Sequence, residues 1–145
     1  MEVAQLLGRH RYQLDAKGRM ALPAKFREAF SGGVYLTLGQ DNCLYAYPAD
    51  EWERRAGEVR SAPLSAQDAR AYARMFFGNA EQVELDSQGR LVIPQRLRSQ
   101  IGLEREAVVI GVSERLEIWA SDAWDRYEQT YSGAYSGGTL EPVGH

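Results

Sequence analysis

The sequence predicts an α+β fold in which two tandem copies of one small module share a single core. Three observations lead there. First, residues 12–27 laid over residues 83–98, an offset of 71, match Leu14 with Leu85, Asp15 with Asp86, Gly18 with Gly89, Arg19 with Arg90, Pro23 with Pro94 and Arg27 with Arg98. Typical residue frequencies would give about one chance identity in such a window. The similarity resumes at an offset of 72, where Leu44, Asp50 and Trp52 meet Leu116, Asp122 and Trp124. Second, each copy alternates short apolar segments with Asp-, Gly- and Pro-marked turns, the pattern of short strands and short helices. Third, a copy of about 45 residues is too small to bury a stable core alone, so the two copies are expected to pair with each other.

In the first copy, Arg9 to Leu14 reads as a strand and Asp15-Ala16-Lys17-Gly18-Arg19 as a tight loop, because Asp bonds its own following backbone and Gly accepts positive φ. Arg19 to Leu22 runs back. Pro23 suits the first position of a helix extending to about Phe30, where Gly32-Gly33 ends it. Val34 to Leu38 and Cys43 to Tyr47 form a hairpin around Gln40-Asp41-Asn42, and a helix starts near Pro48 with Asp50 in its first turn. Ser65 to Phe77 is predicted as a connecting helix capped by Ser65 and stopped by Gly78-Asn79. The second copy repeats the series: Val83 to Asp86, Arg90 to Ile93, a helix from Pro94 to Ile101, a hairpin from Ala107 to Trp119, and a helix from Ser121. The predicted organisation is a first module over 9–54, a connecting segment over 55–80, a second module over 81–124 and a flexible tail over 132–145.

Composition excludes several function classes. The 145 residues are 44% hydrophobic and 26% charged, with a net charge of -3, as in an ordinary globular chain. Apolar runs such as Ala107 to Val112 fall far short of a membrane span, and the N-terminus lacks the pattern of a secretory leader, so a cytoplasmic location is expected. One cysteine, Cys43, has no internal disulfide partner, and His10 and His145 have no neighbouring ligands, so neither a metal nor a cofactor is expected. Asp15 and Asp86 could be imagined as a catalytic pair, but both lie in turns beside basic residues without a nucleophile or base nearby; the chain does not read as an enzyme.

The motifs Asp15-Ala16-Lys17-Gly18-Arg19 with Leu22-Pro23-Ala24-Lys25-Phe26-Arg27, and Asp86-Ser87-Gln88-Gly89-Arg90 with Ile93-Pro94-Gln95-Arg96-Leu97-Arg98, resemble the paired D-x-x-x-R signatures of MraZ proteins. Asn42 to Pro48 and Phe76 to Ala80 resemble further family segments in order and spacing, and the likeness covers Leu7 to Tyr127. The resemblance implies two fused SpoVT-AbrB-like modules whose swapped hairpins share a β-barrel, assembled as a homo-oligomeric ring. It further implies a nucleoid-associated regulator, expected as a repressor, that binds double-stranded DNA at direct repeats upstream of its own operon in the division and cell-wall gene cluster. Lys17 and Arg19 match the family positions associated with DNA contact.

Local charge points to the first copy. Residues 1–30 carry a net of +3 and the matching window 72–101 a net of +1; Lys17 is replaced by Gln88, and nothing in the second copy matches Arg9 or Arg11. Lys17, Arg19, Arg11, Arg9 and Arg27 are therefore the candidate DNA contacts, since a hairpin tip carrying Arg and Lys can enter a groove. Alternatives stay open: Arg19, and more so Arg90, could serve only as an ion-pair partner of the Asp four residues earlier, and Arg27 could be a solvated helix residue. Asp15, Gly18, Asp86, Gly89 and Arg90 read as loop-forming. Trp52, Trp124, Phe26 and Leu97 read as core or subunit interface, while Phe76 and Phe77 are candidates for an oligomer contact because Tyr72, Met75, Phe76 and Phe77 crowd one helix end. Two competitors remain: from another class, an assembly protein that forms rings without specific DNA binding, and, within DNA binding, an antitoxin-type AbrB relative, which typically carries one module where this chain carries two.

Overall fold

The structure, a computed structural model, describes residues 5–143, so His145 lies outside the described residues. The first copy comprises β1 (Leu6–Gln13), β2 (Arg19–Ala21), α1 (Ala24–Arg27), β3 (Val34–Leu38), β4 (Leu44–Pro48) and α2 (Ala49–Arg60). After α3 (Gln67–Gly78), the second copy adds β5 (Glu81–Val83), β6 (Arg90–Val92), α4 (Gln95–Gln100), β7 (Glu106–Ser113), β8 (Leu116–Ala120) and α5 (Ser121–Ser136).

The pairing exchanges strands between the copies. Six strands form one sheet in the order β1-β7-β8-β4-β3-β5, with every neighbour antiparallel. Thus β1 of the first copy lies on β7 of the second, β5 of the second lies on β3 of the first, and β2 pairs with β6 as a separate ribbon. Tyr45 faces Glu117 at the centre of β4–β8, and Met20 faces Leu91 at the centre of β2–β6. Each of these is a residue facing its own repeat mate, so a local two-fold axis runs through the middle of both pairs.

The expected β-barrel is corrected on one point. The main sheet ends at β1 and β5 and does not close, because β2 and β6 make their ladder bonds to each other rather than to those edges. The ribbon instead covers the core: Met20 and Leu91 are buried with Leu14, Phe26, Ile93 and Leu97 from both copies. Period-two alternation places Leu44 and Ala46 on this face, and Cys43, Tyr45 and Tyr47 on the opposite one, where Trp52, Phe76 and Trp119 form a second, aromatic cluster.

Several boundaries differ from the sequence reading. The helix expected from Pro23 to Phe30 reduces to the short α1. α3 starts at Gln67 behind an Ala66 N-cap that makes no side-chain cap bond, so Ser65 does not cap it. The strand expected at Val83 to Asp86 shifts to Glu81–Val83 because Asp86 is committed to its loop. The first-module boundary at 54 falls inside α2. Residues 132–136, expected in the flexible tail, are helical as the end of α5, where Tyr131 packs on Tyr127 with ring centroids 4.7 Å apart. Among the described residues, no helix is long and apolar enough to cross a membrane, and no group of three metal-ligating side chains occurs.

Candidate nucleic-acid interface

The two D-x-x-x-R loops adopt one hydrogen-bonded form. Asp15 Oδ1 accepts the backbone N–H groups of Lys17 and Arg19, both at 2.9 Å, and its Oδ2 accepts Arg19 Nε at 2.6 Å. Asp86 does the same with the N–H groups of Gln88 (2.9 Å) and Arg90 (2.8 Å) and with Arg90 Nε (2.7 Å). Gly18 N–H donates to the Asp15 carbonyl and Gly89 N–H to the Asp86 carbonyl. The backbone N–H of Arg19 is the foremost cause holding the Asp15 carboxyl below the usual aspartate range, against an opposing desolvation, with help from the Arg19 side chain and Lys17 N–H. Arg90 and Gln88 act on Asp86 in the same way. Both aspartates are therefore loop-formers, and each fixes the arginine four residues on.

The loops also hold each other. Leu22 N–H donates to the Gly89 carbonyl at 3.2 Å, and Ile93 N–H to the Gly18 carbonyl at 2.9 Å. Both glycines have positive φ, 77° and 74°, which β-carbon-bearing residues adopt only with strain. A second constraint comes from the opposite module: a Cβ on Gly18 would lie 2.7 Å from the Arg98 guanidinium, and one on Gly89 would lie 2.4 Å from Arg27 Nε. Arg27 and Arg98 thus each cross to the other copy's loop. Arg98 escaped the sequence reading although its identity with Arg27 in the repeat marked it.

Arg19 and Arg90 share the outer face of the ribbon with Ala21 and Val92, above the buried Met20–Leu91 pair. Arg19 faces Val92, two positions from Arg90, so the two arginines are diagonal neighbours at about 7–8 Å between backbones. Lys17 is exposed at the first loop, and its side chain makes no ion pair among the described residues.

Arg9 and Arg11 are placed elsewhere. They alternate along β1 on the face toward α5, where Arg9 pairs with Glu128 and Arg11 bonds Ser121 Oγ at 2.9 Å and Asp125 at 2.8 Å. The +3 window is therefore not one surface: its two N-terminal arginines are matched by acidic residues far away in the sequence. The charge difference between the loops themselves reduces to Lys17 against Gln88.

The expected oligomer pair is also split. Phe76 is buried, stacked on Trp52 at 5.0 Å, and its carbonyl accepts the Thr37 hydroxyl at 2.6 Å. Phe77 is 36% exposed beside Met75 at 53%. Phe76 is unavailable to a second subunit, whereas Phe77 and Met75 remain on the surface.

Comparison with known proteins agrees with the duplicated architecture. The MraZ protein family model matches twice, over residues 6–75 and 76–136. A protein from Pelotomaculum thermopropionicum named Transcriptional regulator MraZ is 46% identical over 129 residues, covering 89% of each chain. One of the same name from Alkaliphilus metalliredigens is 44% identical over 89% of this chain and 90% of its own. Another, from Salinispora arenicola, is 49% identical over 121 residues, 83% of this chain and 85% of its own. With both repeats matched and the identity spread along most of its length, the chain belongs to the MraZ family.

Proposed function

We propose that the protein is a DNA-binding transcriptional regulator whose contact surface is the pair of D-x-x-x-R loops on the β2–β6 ribbon. The observation that carries this reading is the local charge. Asp15 and Asp86 are satisfied inside their loops, while Lys17, Arg19, Arg27, Arg90 and Arg98 surround a two-stranded ribbon narrow enough for a major groove. That is how a chain of net charge -3 can present a cationic face. The names of its relatives support the same reading.

The finer form of the proposal is a repressor at the nucleoid, acting on the division and cell-wall gene cluster through direct repeats upstream of its own operon. One ribbon offers few cationic contacts and should bind in the non-specific range of roughly 10⁻⁴ to 10⁻⁶ M at physiological salt. A ring presenting several ribbons to spaced repeats gains about 10² to 10⁴ through avidity. The exposed Met75 and Phe77 support a subunit contact at the end of α3. Light scattering at micromolar concentration is expected to give a multiple of the 16.3 kDa chain mass.

Titration of DNA from upstream of the protein's own gene, followed by fluorescence anisotropy across a salt series, tests the core of the reading. Lys17→Ala and Arg19→Ala should each weaken binding and lower the log–log salt slope by about 1. Arg90→Ala should behave like Arg19→Ala, and Gln88→Ala should change little. Unchanged affinity in all the arginine and lysine variants, or salt-independent binding, would overturn DNA contact at these loops and favour a ring-forming assembly protein.

A further inference from the structure

We propose that Arg98 and Arg27 are direct phosphate contacts supplied crosswise, so that each D-x-x-x-R loop binds DNA together with an arginine from the other module. The inference rests on the DNA-binding reading above and extends it to two residues outside both loops.

Four arginines at this end of the molecule are held in the same way. Arg19 donates Nε to Asp15 Oδ2 and Arg90 donates Nε to Asp86 Oδ2. Arg27 donates Nε to the Leu22 carbonyl at 3.3 Å, and Arg98 donates Nε to the Ile93 carbonyl at 2.8 Å. None of the four uses a terminal Nη nitrogen in a hydrogen bond within the chain among the described residues. By contrast, Arg9, Arg11 and Arg96, also on the surface, use their Nη groups on Glu128, Asp125 and Asn79. A guanidinium fixed at Nε has little rotamer freedom left to lose and still offers its Nη donors, which suits it to a phosphate oxygen.

Position adds a second argument. The Arg98 guanidinium lies against Gly18, in the loop that carries Lys17, and Arg27 lies against Gly89. A Cβ at either glycine would meet guanidinium atoms at under 3 Å, so the glycines leave the space that these side chains occupy. Carbonyl anchoring also leaves Arg27 and Arg98 with their full positive charge, whereas Arg19 and Arg90 are each paired with a carboxylate. Neither Arg27 nor Arg98 has a carboxylate within ion-pair distance among the described residues.

The test uses the full chain with duplex DNA from upstream of its own gene and an unrelated duplex of equal length. Anisotropy is measured over a salt series for Arg98→Ala, Arg27→Ala, the double variant and Arg98→Lys. Each alanine is expected to weaken binding roughly five- to tenfold and to lower the salt slope by about 1 on both duplexes, the double variant by about 2. Arg98→Lys should restore most of the slope, because it restores the charge. Weaker binding with an unchanged slope would overturn the proposal and make Arg98 a positioning residue for the first loop. Unaltered binding by Arg98→Ala, with the wild type binding normally, would overturn it alone. Failure of the wild type to bind either duplex would overturn the DNA reading as well.

Discussion

The ribbon end and the aromatic side of the sheet are built from the same duplicated sequence, and they have kept the duplication to different degrees. At the ribbon, the two loops agree bond for bond, with Asp-to-Arg Nε distances of 2.6 and 2.7 Å and the same crossed arginine on each glycine. On the aromatic side, the repeat mates Trp52 and Trp124 have diverged. Trp52 is buried between Tyr35 at 5.3 Å and Phe76 at 5.0 Å. Trp124 is only partly buried, edge-on to Trp119, and its indole N–H has no hydrogen-bond partner among the described residues. The difference follows from the axis. A residue near it packs on its own mate, so a change in one copy is felt by the other. Residues away from it pack on whatever follows their module: α3 folds back onto α2 in the first copy, while in the second α5 is the last described helix and lies on β7 and β8 with no further helix over it among the described residues.

The comparison breaks most visibly in stability. Trp52→Ala should cost about 3–5 kcal/mol, the range for a large aromatic removed from a core, and Trp124→Ala less than half of that, both by denaturant unfolding. Equal losses would mean that the two tryptophans are equivalent after all. A smaller effect tests the symmetric end. Gly18→Ala and Gly89→Ala should each cost about 1–2 kcal/mol for the left-handed backbone, with the further displacement of Arg98 or Arg27. The two should agree closely, and a clear inequality would show that the loops are less alike than their bonding implies.

Smaller still is the effect at β1. Arg9→Ala and Arg11→Ala remove exposed ion pairs to α5 worth about 0–1 kcal/mol, an effect that salt should erase, and they should leave the DNA salt slope unchanged. A drop in slope would return these arginines to the DNA surface. Acid sharpens the comparison at least cost. Because Asp15 and Asp86 are held below the ordinary aspartate value, their contribution is fully present above that value and is lost as pH falls through the depressed one. The amide signals of Gly18 and Gly89 should therefore titrate together, below the ordinary value of about 3.9. A normal midpoint in either loop would break the equivalence.

What was legible in the sequence follows the same division. The loops were readable because their chemistry is local: Asp, Gly and Arg within five residues specify the turn, and the repeat doubled the signal. The exchange of strands was readable only as a need for the copies to share a core. Net charge gave no sign that Arg9 and Arg11 pair with Glu128 and Asp125, since these lie at the other end of the chain and pairing at that separation leaves no local pattern. Phe76 and Phe77 were adjacent and equally apolar in sequence, and only the helix rotation against Trp52 buries one and half-exposes the other. Arg98 was visible as a repeat identity, but its seat on Gly18 depends on the strand exchange.

That exchange also bears on how the protein is made. Among the described strands β1 leaves the ribosome first, and its partner β7 is the last but one to be translated, with Leu6 opposite Ser113. A nascent chain that has reached only the end of α3 therefore carries β1 with no strand to accept it, β3 bonded on one side only, and β2 without its mate. Pairings this distant are slow to form, and open strand edges attract one another while they wait. Premature termination at the end of α3 should consequently yield an aggregating or degraded fragment rather than half a working molecule, so nonsense mutations anywhere before the end of β8 should be as damaging as those at the start of the gene.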